Sequence, residues 1–288
     1  MTLANLLLLL TAAGVHVVTH IALKRSRDRS AFVGWMLLWS AILFSPIVIL
    51  TRASIPPIGW ALMAFSSIFE AGYFIAIALA YRGADLSVVY PLARGVGPVL
   101  LLVWSGLILR EPLTAGGVIG VGLIALGLYT VNLPRPGAWR EPLAALRQSG
   151  PRWAVAAGVC ISGYTAIDKV GIRYVPPLLY TYLALWITLL WVAPWTVWFV
   201  GRSGLRDEWR LSKWGIILAG FTTLAAYGLV LLAMAAGTPA SYAGAIREVS
   251  VVLGAAYGVY VLKEQGGPMR LVGAALVACG VVAIGLLG

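Results

Sequence analysis

The sequence predicts an all-α integral membrane protein, ten transmembrane helices arranged as two inverted five-helix repeats. Three observations carry that prediction. Hydrophobic residues fill 61% of the 288 positions and Asp, Glu, Lys and Arg only 11%, against about 25% charged in an average soluble domain. The apolar residues fall in blocks long enough to cross a hydrocarbon layer of about 30 Å. Matching residues also recur at one fixed offset between the two halves of the chain.

Taken in order, the blocks are residues 3–23, 31–50, 58–80, 86–108, 113–131, 152–170, 176–200, 213–235, 241–262 and 269–287. The first reads as a retained helix rather than a signal peptide. It has no basic leader and no small-residue cleavage pattern, and Lys24, Arg25, Arg27 and Arg29 follow it. Ile55-Pro56-Pro57, Val175-Pro176-Pro177 and Gly266-Gly267-Pro268 punctuate later boundaries. Trp35, Trp60, Trp153, Trp209 and Trp214 fall near block ends, as interfacial anchors do. The longest polar interval, residues 132–151, is a connector between units 1–131 and 152–288.

An offset of 153 places Arg94 on Arg247, Glu111 on Glu264, Gly120 on Gly273 and Gly127 on Gly280. Leu109-Arg-Glu111 likewise matches Leu262-Lys-Glu264. Four matches at one offset argue for a duplicated unit. Five spans per unit is an odd number, so successive copies cross the membrane in opposite senses, the arrangement that lets a carrier open alternately to either side.

The net charge of +11 lies in the short links between blocks, against anionic lipid, and no zinc-finger spacing or basic helix makes it a nucleic-acid footprint. The odd-numbered links hold 15 Lys and Arg and the even-numbered ones Arg52, Arg110 and Arg173. By the positive-inside rule the odd links, including the connector, are cytoplasmic and both termini outside. Cys160 and Cys279 each sit in an apolar block and imply neither a disulfide framework nor a thiolate metal site.

The run Ala80-Tyr-Arg-Gly-Ala-Asp-Leu-Ser-Val-Val-Tyr-Pro-Leu-Ala-Arg94, with Pro98 and the Leu-Arg-Glu-Pro sequence ending at Pro112, resembles the first repeat of EamA-type members of the drug/metabolite transporter superfamily. Ala236-Gly-Thr-Pro-Ala-Ser-Tyr-Ala-Gly-Ala-Ile-Arg247 and Leu262-Lys-Glu264 resemble its second repeat more loosely. The resemblance covers essentially the whole chain. It implies ten helices in two inverted five-helix repeats and movement of small metabolites, amino acids among them, across a bacterial inner membrane. It also implies a cavity lined by the first, third, fourth, sixth, eighth and ninth helices, near His16, Tyr73, Arg94, Tyr164, Tyr227 and Arg247. Glu248 departs from the usual neutral residue at its position, and some members keep both termini in the cytoplasm.

Arg94 and Arg247 are costly inside hydrocarbon unless paired or facing a wet cavity. Each is read as a substrate or ion contact, a structural tie, or a snorkelling side chain. Glu70, midway through the third block, is a candidate proton carrier if it stands alone and a counter-charge if an arginine approaches. Glu248 leaves a helix about 100° from Arg247, so it either pairs with His16, His20 or Lys169 or shares the cavity edge. Asp168 and Lys169, close to a helix end, read as an interfacial polar pair.

His16 and His20 share a helical face, but no third ligand completes a metal site, leaving a cavity or relay role or simple packing. Tyr73, Tyr90, Tyr164, Tyr227 and Tyr242 suit either a ligand with polar and apolar parts or helix packing. Gly116-x-x-x-Gly120 and Gly254-x-x-x-Gly258 read as close helix contacts, the first also as a homodimer face. Gly83, Pro91, Gly95, Gly97 and Pro98 mark places for bending.

The resulting expectation is a secondary transporter of a small polar or zwitterionic metabolite, amino-acid-like or phosphonate-like, with protons as a candidate coupling ion and lipid as solvent. No cofactor is implied, no nucleotide-binding loop supports ATP drive, and no Gly-x-Ser-x-Gly supports a membrane enzyme. The alternatives are a non-transport scaffold or regulatory membrane protein and a channel; monomer and homodimer both stay open.

Overall fold

A computed structural model describes residues 1–83, 86–131, 133, 135–260 and 268–288, with side chains described for all of these except 24, 81–83, 86–94, 142, 143, 145, 254, 255 and 257–260. The described chain is helical: α1 Leu3–Arg25, α2 Arg29–Leu43, α3 Pro46–Thr51, α4 Pro57–Gly83, α5 Leu86–Leu107, α6 Ala115–Val131, α7 Glu141–Ala144, α8 Ser149–Gly171, α9 Pro177–Ala235, α10 Ala240–Arg247, α11 Val249–Tyr260 and α12 Pro268–Leu287. Spans 3–23, 29–51, 57–80, 177–235 and 268–287 are long and apolar enough to cross a membrane. Large apolar side chains such as Leu50, Trp198 and Leu286 face outward, as lipid-facing residues do and the surface of a water-soluble monomer does not. The chain is a multi-pass membrane protein.

Local chemistry explains the boundaries. Thr2 caps α1, its hydroxyl accepting from Asn5 N, and Asp28 caps α2 by accepting from Ser30 N and Ala31 N at 2.9 and 3.0 Å. The expected second block divides at Phe44–Ser45, because Pro46 supplies no N–H and opens α3 at its first turn. The expected ninth block divides at Glu248, between α10 and α11. By contrast α5 runs without a break through Pro91, Gly95, Gly97 and Pro98.

The expected loop at residues 201–212 is a correction. Helical structure continues through it, bent only at Gly201, whose φ of 76° and ψ of 164° are non-helical. Residues 202–235 extend roughly 50 Å at about 1.5 Å per residue, so their first turns stand beyond the hydrocarbon and their charges reach water. Buried Glu208 ties those turns down by accepting from Arg27 N and Asp28 N at 3.1 and 2.9 Å, and Trp35 donates to Leu205 O at 2.9 Å. Polarity alone marks a loop; these distant partners make it a helix. A φ/ψ pair of this kind is nearly exclusive to glycine, so Gly201→Ala is expected to cost about 1–3 kcal/mol in thermal unfolding. Gly14→Ala, inside α1 with open space around it, is expected to be neutral or stabilising by up to about 1 kcal/mol.

Packing pairs α6 with α12, α4 and α5 with α8, and α1 and α2 with α9. Between α6 and α12 the contact is backbone on backbone. A Cβ built on Gly120 would stand 2.8 Å from Gly280 O, and one on Gly127 would stand 2.7 Å from Gly273 O. Rising numbers on α6 meet falling numbers on α12, so the two helices run antiparallel. Gly116 faces Leu287 on the same helix, so α12 covers the face that the sequence offered to a homodimer.

Candidate functional site

Helical spacing on two packed helices creates the site. Ser66, Glu70 and Tyr73 form one stripe on α4, and Tyr164 and Asp168 form another on α8. These stripes meet each other, with the first and last parts of α9 closing over them. Asp168, buried, accepts from Ser66 Oγ and Tyr180 OH at Oδ1, the latter at 2.9 Å, and from Tyr227 OH at Oδ2. Glu70, also buried, accepts from Thr188 Oγ1 at 2.6 Å. Taking a carboxylate out of water costs several kcal/mol, and these hydroxyls offset part of that cost.

Tyrosine rings connect the acids to a base. Tyr73 and Tyr164 meet edge to face with centroids 6.5 Å apart, and Tyr164 and Tyr227 do so at 5.9 Å. The Arg247 guanidinium carbon lies 5.8 Å from the Tyr227 ring centroid, within cation–π range. Arg247 is also within electrostatic reach of both Glu70 and Asp168. Its Nη2 lies 3.5 Å from Glu248 Oε1. Glu248 keeps right-handed helical dihedrals (φ −69°, ψ −8°), so the two neighbours leave the helix about 100° apart and meet because their long side chains lean toward each other.

The structure therefore gathers Tyr73, Tyr164, Tyr227, Arg247, Glu248 and Glu70 around one centre. His16 lies on α1, half-buried, its ring 4.5 Å from that of His20 and edge-on to it. The side chains of Tyr90 and Arg94 lie outside what is described, and so do the surroundings of Gly254 and Gly258.

Two readings change. Asp168 and Lys169 are not an interfacial pair: Asp168 turns into the centre, while Lys169 turns the other way to meet Glu111 at 3.4 Å. Tyr242 lies apart from the ring cluster, its hydroxyl accepting from Thr114 N at 2.9 Å and its ring filling the space beside Gly117. The sequence did contain a signal for Asp168. With Tyr164 four residues before it, it continues a polar stripe along an otherwise apolar helix.

Chemically, the centre sets the Asp168 carboxylate across the Tyr227 ring from the Arg247–Glu248 pair, with Glu70 and the faces of Tyr73 and Tyr164 nearby. An ammonium and a carboxylate on one small molecule would each find a partner there.

The profile of the EamA-like transporter family matches residues 2–133 and 148–286. The chain is 32% identical over 103 residues to the quaternary ammonium compound-resistance protein QacE of Escherichia coli, a match covering 35% of this chain and 92% of that protein. It is 33% identical over 75 residues to the uncharacterized membrane protein YvaE of Bacillus subtilis (strain 168), covering 26% of this chain and 63% of YvaE, so less than two thirds of that relative is spanned. A solved crystal structure shares the fold at a TM-score of 0.75 and 15% identity, with 98% of this chain and 96% of that chain superposed. With both halves matched and the helical fold shared from end to end, the chain belongs to the EamA-like transporter family of the drug/metabolite transporter superfamily.

Proposed function

We propose that this chain is a secondary transporter that carries a small polar or zwitterionic metabolite, amino-acid-like or phosphonate-like, across a bacterial inner membrane by alternating access. The buried cluster of Asp168, Tyr227 and Arg247 carries the reading. A scaffold has no use for so costly a set of buried charges, whereas a carrier needs groups that replace the water around its solute. Asp168 and Glu70 receive the ammonium group, Arg247 the acidic group, and Tyr73 and Tyr164 the apolar part between.

In this reading residues 1–131 and 152–288 are inverted repeats joined by the cytoplasmic connector 132–151, with both termini outside. The antiparallel crossing of α6 on α12 supports it, since Gly120 meets Gly280 and Gly127 meets Gly273, each contact crossing between symmetry-matched positions. QacE supports it too, because a stretch covering 35% of this chain accounts for 92% of that protein. Grouping α2 with α3 and α10 with α11, and dividing α9 at Gly201, arranges the described spans as the ten that the repeats require. Glu70 is the proposed proton-coupling residue, with Glu248 tuning Arg247.

The test is uptake into proteoliposomes of labelled amino acids, phosphonates and quaternary ammonium compounds, with an internal pH dye and a Glu70→Gln variant. The last class is included because of what QacE is named for, and because carboxylates and tyrosine faces also suit such cations. Saturable uptake with proton movement that disappears in Glu70→Gln is expected. Saturable uptake with unchanged proton movement would remove Glu70 from coupling. No uptake of any class by folded protein would favour the scaffold reading.

A further inference from the structure

Lys169 and Glu111 form a second buried charged cluster, separate from the centre. Lys169 Nζ donates to Met234 O and Thr238 O, at 2.8 Å each, and lies 3.4 Å from Glu111 Oε1. Those carbonyls end α9 and begin the turn into α10. Both Glu111 oxygens accept from Ala240 N, at 3.0 and 2.8 Å, at the start of α10. One residue further on, Ser241 N donates to Ser105 Oγ at 3.0 Å. The link between α5 and α6 is thus fastened to the turn between α9 and α10, with the end of α8 supplying the cation.

The backbone is shaped for this. Arg110 adopts a φ of 52°, the left-handed region that a non-glycine residue takes only when its surroundings impose it. That turn aims Glu111 inward while the chain doubles back toward α6. The same end of the molecule holds both termini, where Met1 N donates to Gly288 O and Asn5 Nδ2 donates to Ala236 O. The Lys169–Glu111 cluster lies at this same end, one residue along α8 from Asp168.

We infer that Lys169 and Glu111 are the gate latch of this end, closed in this structure, and that Asp168 makes the latch responsive to the occupancy of the centre. Asp168 and Lys169 are consecutive on α8, so a small rotation or shift of that helix, as its carboxylate exchanges hydroxyl partners for solute, moves the lysine away from its carbonyls. Breaking a buried ion pair is strongly unfavourable, which keeps the end shut until that exchange occurs. The inference rests on the transporter reading for its purpose, and its test does not require flux.

Ser241 is a suitable reporter. It is fully buried beneath the cluster, and its hydroxyl makes no hydrogen bond among the described residues, so a thiol fits there. In full-length protein carrying Cys160→Ser, Cys279→Ser and Ser241→Cys, reconstituted in nanodiscs, a charged thiol reagent is expected to react slowly. Adding Lys169→Met is expected to raise that rate on the order of tenfold or more, the mark of a shifted open population. Glu111→Gln, which keeps an acceptor for Ala240 N but loses the charge, is expected to give a smaller rise in the same direction and carries the test if Lys169→Met does not fold.

Exchanging the charges, Lys169→Glu with Glu111→Lys, is expected not to restore slow labelling, because an acid would then face two carbonyls and a cation the α10 amide. A merely structural tie would lower the melting temperature and leave labelling below that temperature unchanged; that result would overturn the inference. Rapid labelling with no panel solute carried would keep the gate and count against the transporter reading alone.

Discussion

Asp168→Asn is expected to lower carrier flux by at least about tenfold, while the protein stays folded. The asymmetry follows from how the side chain is held. Asparagine keeps a carbonyl oxygen for Ser66 and Tyr180, and its amide can donate to the Tyr227 hydroxyl that formerly donated to Oδ2. What is lost is the negative charge that the proposed site would present to a solute ammonium, and a hydrogen bond to a charged group contributes about 1.5–3 kcal/mol, equivalent to at least about tenfold in binding. Counterflow and thermal unfolding measured on the same preparation separate the two effects. A large drop in melting temperature with flux preserved per folded molecule would make Asp168 a structural residue.

Gly280→Leu is expected to have the largest effect on stability. A Cβ there already stands 2.6 Å from Gly120 O and 2.7 Å from Ile124 Cγ1. A carbonyl inside a helix cannot rotate out of the way, so α6 and α12 must separate along their length. Overpacking ordinarily costs about 1–3 kcal/mol, and this substitution is expected at or above the top of that range, seen as loss of the monodisperse species in detergent and a lower unfolding temperature. Gly122→Leu, exposed on α6 with nothing within 4 Å of its Cβ direction, is expected to stay within about 0.5 kcal/mol of the parent. Equal behaviour of the two variants would mean that the glycine crossing does not organise the bundle.

These two sites also mark what could be read from the residue order. Gly120, Gly127, Gly273 and Gly280 stand out because the 153-residue offset aligns them in pairs, and small residues in apolar helices have a definite use in close packing. Class and family follow from similarly local signals. Asp168 was harder to read, because its partners Ser66, Tyr180 and Tyr227 come from other segments and its neighbour Lys169 imitated a surface pair. Glu208 has the same cause: its polar surroundings resembled a loop until Arg27 N and Asp28 N supplied donors from far away in the chain. Glu248 meets Arg247 through the lean of two adjacent long side chains, a choice of rotamer that residue order does not encode. Side-chain neighbours across helices depend on rotation and register, which hydropathy does not encode.

Whether the buried centre belongs to a carrier is decided by counterflow in proteoliposomes preloaded with unlabelled solute, using the panel compound that the protein takes up. Saturable entry of label, accelerated by solute on the opposite side and reduced at least about tenfold by Asp168→Asn, is expected. Entry that rises linearly with concentration, ignores solute on the far side and is unchanged by Asp168→Asn would contradict the carrier reading.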